Sequence, residues 1–405
     1  MSKVIVIGGG PAGMMCAICR ATDGDDVILI EKNEKLGKKL YITGKGRCNV
    51  TNDCDNEEFL SNVVTNPKFL FGAINAFSAE DTLEFLKNNG LQVKTERGNR
   101  VFPLSDKSSD VIKCFSKALQ NAGVDVHLSE ECRSLMVENG EIKGVITDKS
   151  KYFADKVVVC TGGVSYSSTG STGDGYKFAE NAGHNVIPPK PALVGVNIKG
   201  DMCARLSGVT LKNVRLTAYV GEKEVYSGFG EMLFTHFGIS GPIVLSASSV
   251  INKYNINDVK LILDLKPALT DEVLEERILR DFNEYKNKAL KNSLDKLLPK
   301  SLISEIIKIS GINPEKKNNA VSIEERKRLV NALKRINLIP VSLRNVEEAI
   351  VTSGGVSVKE ISPKNMQSKL IKGLYFAGEV IDVDAFTGGF NIQIALSTGY
   401  IAGKD

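Results

Sequence analysis

Histidine is scarce in this 405-residue chain: His127, His184 and His236 are the only three. The eight cysteines are scattered, and the one close pair is Cys16-x-x-Cys19. Without a second cysteine pair or a histidine beside the first, the ligand spacings of a zinc or iron–sulfur centre are missing. So is the framework of a small disulfide-stapled secreted scaffold. No apolar run is long enough to cross a bilayer, and nothing ahead of the first strand leaves room for a signal peptide. A cytoplasmic protein without membrane insertion is expected. An apolar content of 42% and a charged content of 25% suit a globular chain, and the length suggests two or three domains.

Charge is close to balanced. The net +4 comes from Asp271 to Arg335, where 15 Lys/Arg face 11 Asp/Glu, and the rest is neutral. Two readings of this segment stand: contact with RNA, lipid or an acidic partner, or a solvated helical surface. The second is preferred because acids and bases are interleaved. No aromatic-rich RNA-binding motif accompanies it, and no nucleic-acid partner is expected.

The strongest positive signal lies at the start. Val4-Ile5-Val6-Ile7 runs into Gly8-Gly9-Gly10-Pro11-Ala12-Gly13, and Glu31 ends the next strand, Val27 to Ile30. Gly8 permits a tight turn, Gly10 lets a pyrophosphate approach the backbone, and Gly13 lets a helix pack close to the sheet. The helix N-terminus offers N–H groups and partial positive charge to phosphates, and Glu31 can accept from an adenosine ribose. The alternative is a glycine-rich turn in an unrelated α/β domain. Cys16 and Cys19 fall on the helix that follows. Packing against the sheet is preferred there, with a redox pair as the other reading.

Short strands then alternate with helices, as in a parallel sheet wound with helices. Helices are expected over Phe77 to Asn89 and Val111 to Asn121, and strands over Val124 to Leu128 and Tyr152 to Cys160. A hairpin is expected from Arg133 to Thr147, turning at Asn139-Gly140. Pro188-Pro189-Lys190-Pro191 reads as a boundary. Beyond it, Leu193 to Ile198, Val209 to Val220, Lys223 to Tyr226 and Val259 to Leu265 suggest an antiparallel sheet or barrel. Leu290, Leu294 and Leu298, then Ile303, Ile306 and Ile307, and later Leu329, Leu333 and Ile336 recur at helical spacing. The first architecture returns with Leu374 to Ala377, Gly378-Glu379, a loop at Phe386 to Phe390 and a helix from Asn391. The expected organisation is an α/β, Rossmann-like FAD-binding domain (1–190 and 350–405). A β-rich, barrel-like domain (191–270 and 337–349) is inserted in it and carries a helical insert (271–336).

Five motifs carry a resemblance over nearly the whole chain. They are Gly44-Lys-Gly-Arg-Cys-Asn49 with Thr51-Asn52, Ser171-Thr-Gly-Asp-Gly175, Phe234-Thr-His-Phe-Gly-Ile-Ser-Gly-Pro242, Thr352-Ser-Gly-Gly355, and Gly378-Glu379 through Gly388-Gly-Phe-Asn391. In this order they resemble the YhiN-like (BaiN/aminoacetone-oxidase-type) NAD(P)/FAD-dependent oxidoreductases. The resemblance implies FAD, with NADH or NADPH as a transient donor. It places Lys38, Lys39, Gly44, Arg47, Cys48 and Asn49 near the pyrophosphate or flavin, and Thr161, Gly162 and Gly163 beside the cofactor. For the lysines, surface charge is the other reading; for Cys48, a buried structural thiol. Glu379 takes the position of the acid that binds the ribityl chain, where Asp is commoner. Gly388, Gly389, Phe390 and Asn391 would offer backbone N–H groups to the flavin pyrimidine. Lys32 and Arg133 complete the expected cofactor set.

His236 is the expected proton donor, against a structural histidine as the alternative; Tyr166 and Tyr41 are weaker candidates. The implied reaction is NAD(P)H-driven reduction of a C=C bond conjugated to a carbonyl. The implied substrate is a small molecule, a 3-oxo steroid or bile acid with Δ4 and Δ6 unsaturation, as in bile-acid 7-dehydroxylation. Two alternatives stay open: a flavin oxidase of a small amine such as aminoacetone, and a flavin-bearing RNA- or protein-binding protein. Oligomeric state is not legible.

Overall fold

The computed structural model describes residues 1–405, and the chain divides into two compact units. One comprises Met1–Ala192 with Val346–Asp405, the other Leu193–Asn345. No helix is long and apolar enough to cross a membrane.

The first unit is built on a five-stranded parallel sheet. Its order is Leu374–Phe376, Lys156–Val159, Lys3–Ile7, Asp26–Glu31 and Asp125–Leu128. These strands read as apolar runs because helices cover a parallel sheet on its faces; Val4, Ile5, Val6 and Val157 to Val159 are fully buried. The first strand pairs with the second on one side and with Lys156–Val159 on the other, so the glycine turn leaves from the middle of the sheet. The outer strand on the C-terminal side comes from residues some 200 positions later in the chain, and the FAD-type fold is therefore completed only by the C-terminal segment.

Local chemistry sets the helix ends. Ser78 and Asp81 form a reciprocal capping box at the start of Ala79–Asn88. Ser108–Ala122 stops at Gly123, which takes the left-handed conformation. The hairpin is Cys132–Glu138 with Glu141–Thr147, and both Asn139 and Gly140 have positive φ, the type I′ requirement.

Four expectations change. The single strand expected over Tyr152 to Cys160 is two. Lys151–Phe153 joins the hairpin antiparallel, and Lys156–Val159 enters the parallel sheet after a corner at Ala154-Asp155. The proline-rich stretch lies inside a strand, Val186–Ala192, paired with Val351–Val356. Its prolines are accommodated because the pairing is only two-stranded and slips in register between Ile187 and Lys190; the unit ends directly after it. Leu290, Leu294 and Leu298 do not share an α-helix. Leu290–Asn292 is a 3-10 turn, and the helix Lys300–Ser310 begins only after Pro299, which disfavours helical geometry at Leu298. Ile336 belongs to a strand, Ile336–Leu338.

The second unit contains a seven-stranded antiparallel sheet running from Ile336–Leu338 through Val259–Asp264, Thr210–Val220, Lys223–Thr235, Gly238–Ser240 and Val196–Ile198 to Pro340–Leu343. Its two edge strands are separated in sequence by Ile339 alone, so the sheet must curl until its edges meet, as in a barrel. The helices Asp271–Glu284, Lys300–Ser310 and Ile323–Lys334 bury Leu274, Ile278, Ile306 and Leu329 in one core with Leu261 and Leu263 of the sheet.

In the first unit the C-terminal helix, Phe390–Gly403, packs tightly on the first, Pro11–Thr22. A Cβ on Gly399 would stand 2.3 Å from the Ala12 carbonyl oxygen, and one on Gly403 3.0 Å from that of Cys16. Gly399→Ala must therefore push the helices apart. It should lower stability by about 1–3 kcal/mol, and denaturant unfolding of the variant against the wild type checks this.

Candidate cofactor site

The three fingerprint glycines have three separate reasons. Gly8 has φ +106, and a Cβ there would lie 2.5 Å from the Cys160 carbonyl oxygen. Gly13 carries the helix so close to the turn that a Cβ would sit 1.9 Å from the Gly8 oxygen. Gly10 is the opposite: a Cβ would meet nothing within 4 Å. It is also the N-cap of the first helix, with Pro11 following and no side chain capping the end. The first-turn N–H groups and the positive end of the helix dipole are thus left for an anion.

Glu31 is buried at the neighbouring strand end. Its Oε2 accepts from the Gly9 N–H at 2.7 Å, and its Oε1 from the Asn33 N–H at 2.8 Å and Asn33 Nδ2 at 2.6 Å. A carboxylate has about four lone-pair sites, so one acceptor position is left for a ribose hydroxyl. Lys32 is committed to Asp174 at 2.6 Å and to Thr172, which staples the Ser171–Gly175 turn to this strand end. Lys38 reaches Asn33 Oδ1 and Glu34. Arg133 is exposed and paired with Glu131 at 3.0 Å.

The C-terminal helix supplies a second N-terminus without a side-chain cap, at Gly389. Gly389 is pressed onto residue 51: a Cβ would be 2.3 Å from the Thr51 oxygen. Asn52 Nδ2 donates to the Gly388 oxygen at 3.0 Å. Asn391 uses its side chain on Ala385 N and O, and Phe390 packs edge-on against Phe59, so this loop has only backbone N–H groups to offer. Contacts between the two helices advance in the same sense along both, Gly399 over Ala12 and Gly403 over Cys16. The axes are therefore parallel, and the C-terminal helix begins about eight residues, or roughly 12 Å, ahead of the first. Level with the start of the first helix, Gly378 lies against Ala12 and donates its N–H to Thr398 Oγ1.

Next to Gly378, Glu379 binds Lys39 Nζ through both oxygens at 3.1 and 2.8 Å, and also accepts from Ser165 Oγ and the Thr352 N–H. The Thr161–Gly163 turn runs beside it. Thr161 Oγ1 and Tyr176 Oη are buried there without protein partners. Burial, with Glu379 nearby, keeps the Tyr176 phenol protonated far above the usual range. Two helix starts without side-chain caps, an open Gly10 and two orphaned hydroxyls fit a long, anionic, hydroxyl-bearing cofactor such as FAD.

The Gly44–Asn49 segment is bent hard: Gly44, Lys45, Gly46 and Cys48 all have positive φ. Arg47 is engaged with Glu96 and Asp106 and lies over Phe102, 4.0 Å from the ring centre, so its guanidinium braces the loop. Asn49 Oδ1 accepts from the Val101 N–H. Cys48 is fully buried and its thiol is pushed up to about 11; Cys16 and Cys19 are pushed to about 12. Protonated, buried thiols pack and do not act as nucleophiles.

In the second unit, His236 occupies the exposed two-residue turn between Thr235 and Gly238. Its ring stands edge-on to Phe237, with 5.1 Å between centroids, and Arg344 lies over Phe237 at 4.5 Å. Tyr166 sits half-buried in a left-handed turn, and Tyr41 carries Lys35 over its ring. Sequence reasoning missed Gln393. This fully buried side chain takes hydrogen bonds from Thr51 and Thr82 and donates to Phe77 and Ser78 carbonyls. A lone amide in the apolar run Ile392 to Leu396 was the available signal.

Gly10→Ala should leave the apoprotein's unfolding unchanged within about 0.5 kcal/mol while weakening FAD binding at least about tenfold, because only a ligand meets the new methyl. Gly13→Ala should destabilise the apoprotein itself. Calorimetry and flavin titration separate the two. The buried thiols also set a pH dependence. Above about pH 9 the unfolded chain releases the Cys48 proton and the folded chain keeps it until about 11. Stability should therefore fall across that window, by at most about 1.4 kcal/mol per pH unit for each such thiol. Cys48→Ala should flatten the slope in denaturant melts taken on either side of it.

The HI0933-like protein Rossmann domain family matches residues 2–405. The 3-dehydro-bile acid delta(4,6)-reductase of Clostridium scindens is 31% identical over 100% of this chain and 98% of its own. The ribosomal RNA dihydrouridine synthase of Escherichia coli is 30% identical over 99% and 97%. Among solved structures, the 3-ketosteroid-delta4-(5alpha)-dehydrogenase of Rhodococcus jostii RHA1 superimposes with a TM-score of 0.53 at 15% identity, covering 100% of this chain and 96% of that one, which shows a common fold. With its parallel sheet, glycine turn and whole-length match, this chain belongs to the HI0933-like family.

Proposed function

We propose that the protein is an FAD-dependent oxidoreductase that saturates a C=C bond conjugated to a carbonyl, with NADH or NADPH as electron source. The observation that carries this is the pair of parallel helix starts, at Gly10 and Gly389, about 12 Å apart along the axes. The first suits a pyrophosphate and the second the pyrimidine edge of a flavin. FAD held at these two helix starts would supply two-electron hydride chemistry linking a nicotinamide to the alkene β-carbon. The N–H groups at Gly389 and Phe390 stabilise negative charge at their helix start. The α-carbon requires one proton, from an acid or from solvent, so that one hydride and one proton together saturate the bond.

The two relatives' names support this common chemistry. A delta(4,6)-reductase of a 3-dehydro bile acid and a dihydrouridine synthase both saturate a C=C bond next to a carbonyl, one in a steroid and one in a uracil ring. A 3-oxo steroid or bile acid is the first substrate reading. Uridine in RNA is the second, favoured by the whole-length match to the synthase and the net positive segment from 271 to 335.

Anaerobic spectra of the holoprotein test the proposal. NADH or NADPH should bleach the flavin band, and a 3-oxo-4,6-diene bile acid or a uridine-containing RNA should restore it. Bleaching only by a small amine, with restoration by oxygen, would replace this proposal with an oxidase.

A further inference from the structure

Lys39 and Glu379 lie 340 residues apart in sequence yet form a two-oxygen ion pair, each side chain about one-fifth exposed. Neither is free to swing away. Ser165 Oγ is 2.7 Å from Lys39 Nζ and 3.3 Å from Glu379 Oε1, and the Thr352 N–H holds Glu379 Oε1 at 2.8 Å. Ser165 Oγ also faces the Ile350 carbonyl at 3.5 Å. A staple between these segments does not require charge, and taking two charges partly out of water costs free energy. The pair is also held close to the start of the first helix, because the adjacent Gly378 lies against Ala12 of that helix and bonds Thr398 of the last. On its other side the turn has no side chain: Gly162 has φ +72, and a Cβ there would come within 3.9 Å of Glu379 Oε2.

We infer that Lys39 and Glu379 are positioning residues that act as a charge couple setting the reduction potential of the bound flavin. The expected role of the acid, a ribityl anchor, uses only one half of this arrangement. Each charge is screened by its partner, so the couple holds the local field near zero while the Gly389 helix start supplies the net positive potential. Removing one partner exposes the other. The inference rests on the reading that FAD occupies this site, and it predicts shifts of opposite sign for the two single variants.

The test is the midpoint potential of the bound flavin in wild type, Lys39→Met, Glu379→Gln and the double variant, with the FAD dissociation constant measured alongside. Lys39→Met leaves Glu379 uncompensated and should favour the oxidised form about tenfold, a fall of about 30 mV for a two-electron couple. Its affinity for FAD should also weaken. Glu379→Gln should move the potential upward by a similar amount, and the double variant should return close to wild type. Single variants that shift in the same direction, or that bind FAD and do not shift, overturn the inference and leave the pair as a structural staple. A wild-type chain that binds no FAD overturns the underlying cofactor reading, and the inference with it.

Discussion

Everything at the cofactor site depends on how closely the last helix lies against the first. That approach is possible because Gly399 and Gly403 present bare backbone to Ala12 and Cys16. Side chains at either position would separate the helices and change their stagger. With the contact in place, two dipoles point the same way from different heights, and the segment Gly378–Val380 is threaded between them. The network of Thr51, Thr82 and Gln393 then locks the upper helix to elements from the first hundred residues. The site is thus assembled from both ends of the chain.

The hydrogen bonds also explain why so few of the charged residues near the site point into it. Lys32, Lys38, Arg47 and Arg133 each hold a partner carboxylate or amide. What is left for a ligand is mostly backbone: helix starts at Gly10 and Gly389, and the bare face of the Thr161–Gly163 turn. Backbone donors are fixed by the fold and lose little freedom on binding, which suits a resident cofactor more than a transient one.

Much of this was legible in the sequence because it concerned backbone geometry. Gly8, Gly10 and Gly13 could be assigned separate tasks from spacing alone, and the Asn139-Gly140 turn and the Gly123 helix stop follow from conformational preference. The strand around Tyr152 was misread because an apolar run does not record a corner at Ala154-Asp155. The leucines before Pro299 were misread because burial was visible and the backbone state was not. Long-range side-chain partnerships were invisible: nothing near Lys39 announces Glu379, and nothing near Arg47 announces Glu96.

The continuity of the barrel edges through Ile339 has a consequence for synthesis on the ribosome. The sheet of the inserted unit closes only when residues 336–343 emerge, and the parallel sheet gains its outer strand only at Leu374–Phe376. At roughly 5–20 residues per second, the strand ending at Val159 waits about 11–43 s for that neighbour. During this interval an apolar sheet edge is open while a self-contained barrel forms downstream of it. The order of completion is therefore inside first and outside last, and the nascent first unit is the stretch most in need of chaperone cover.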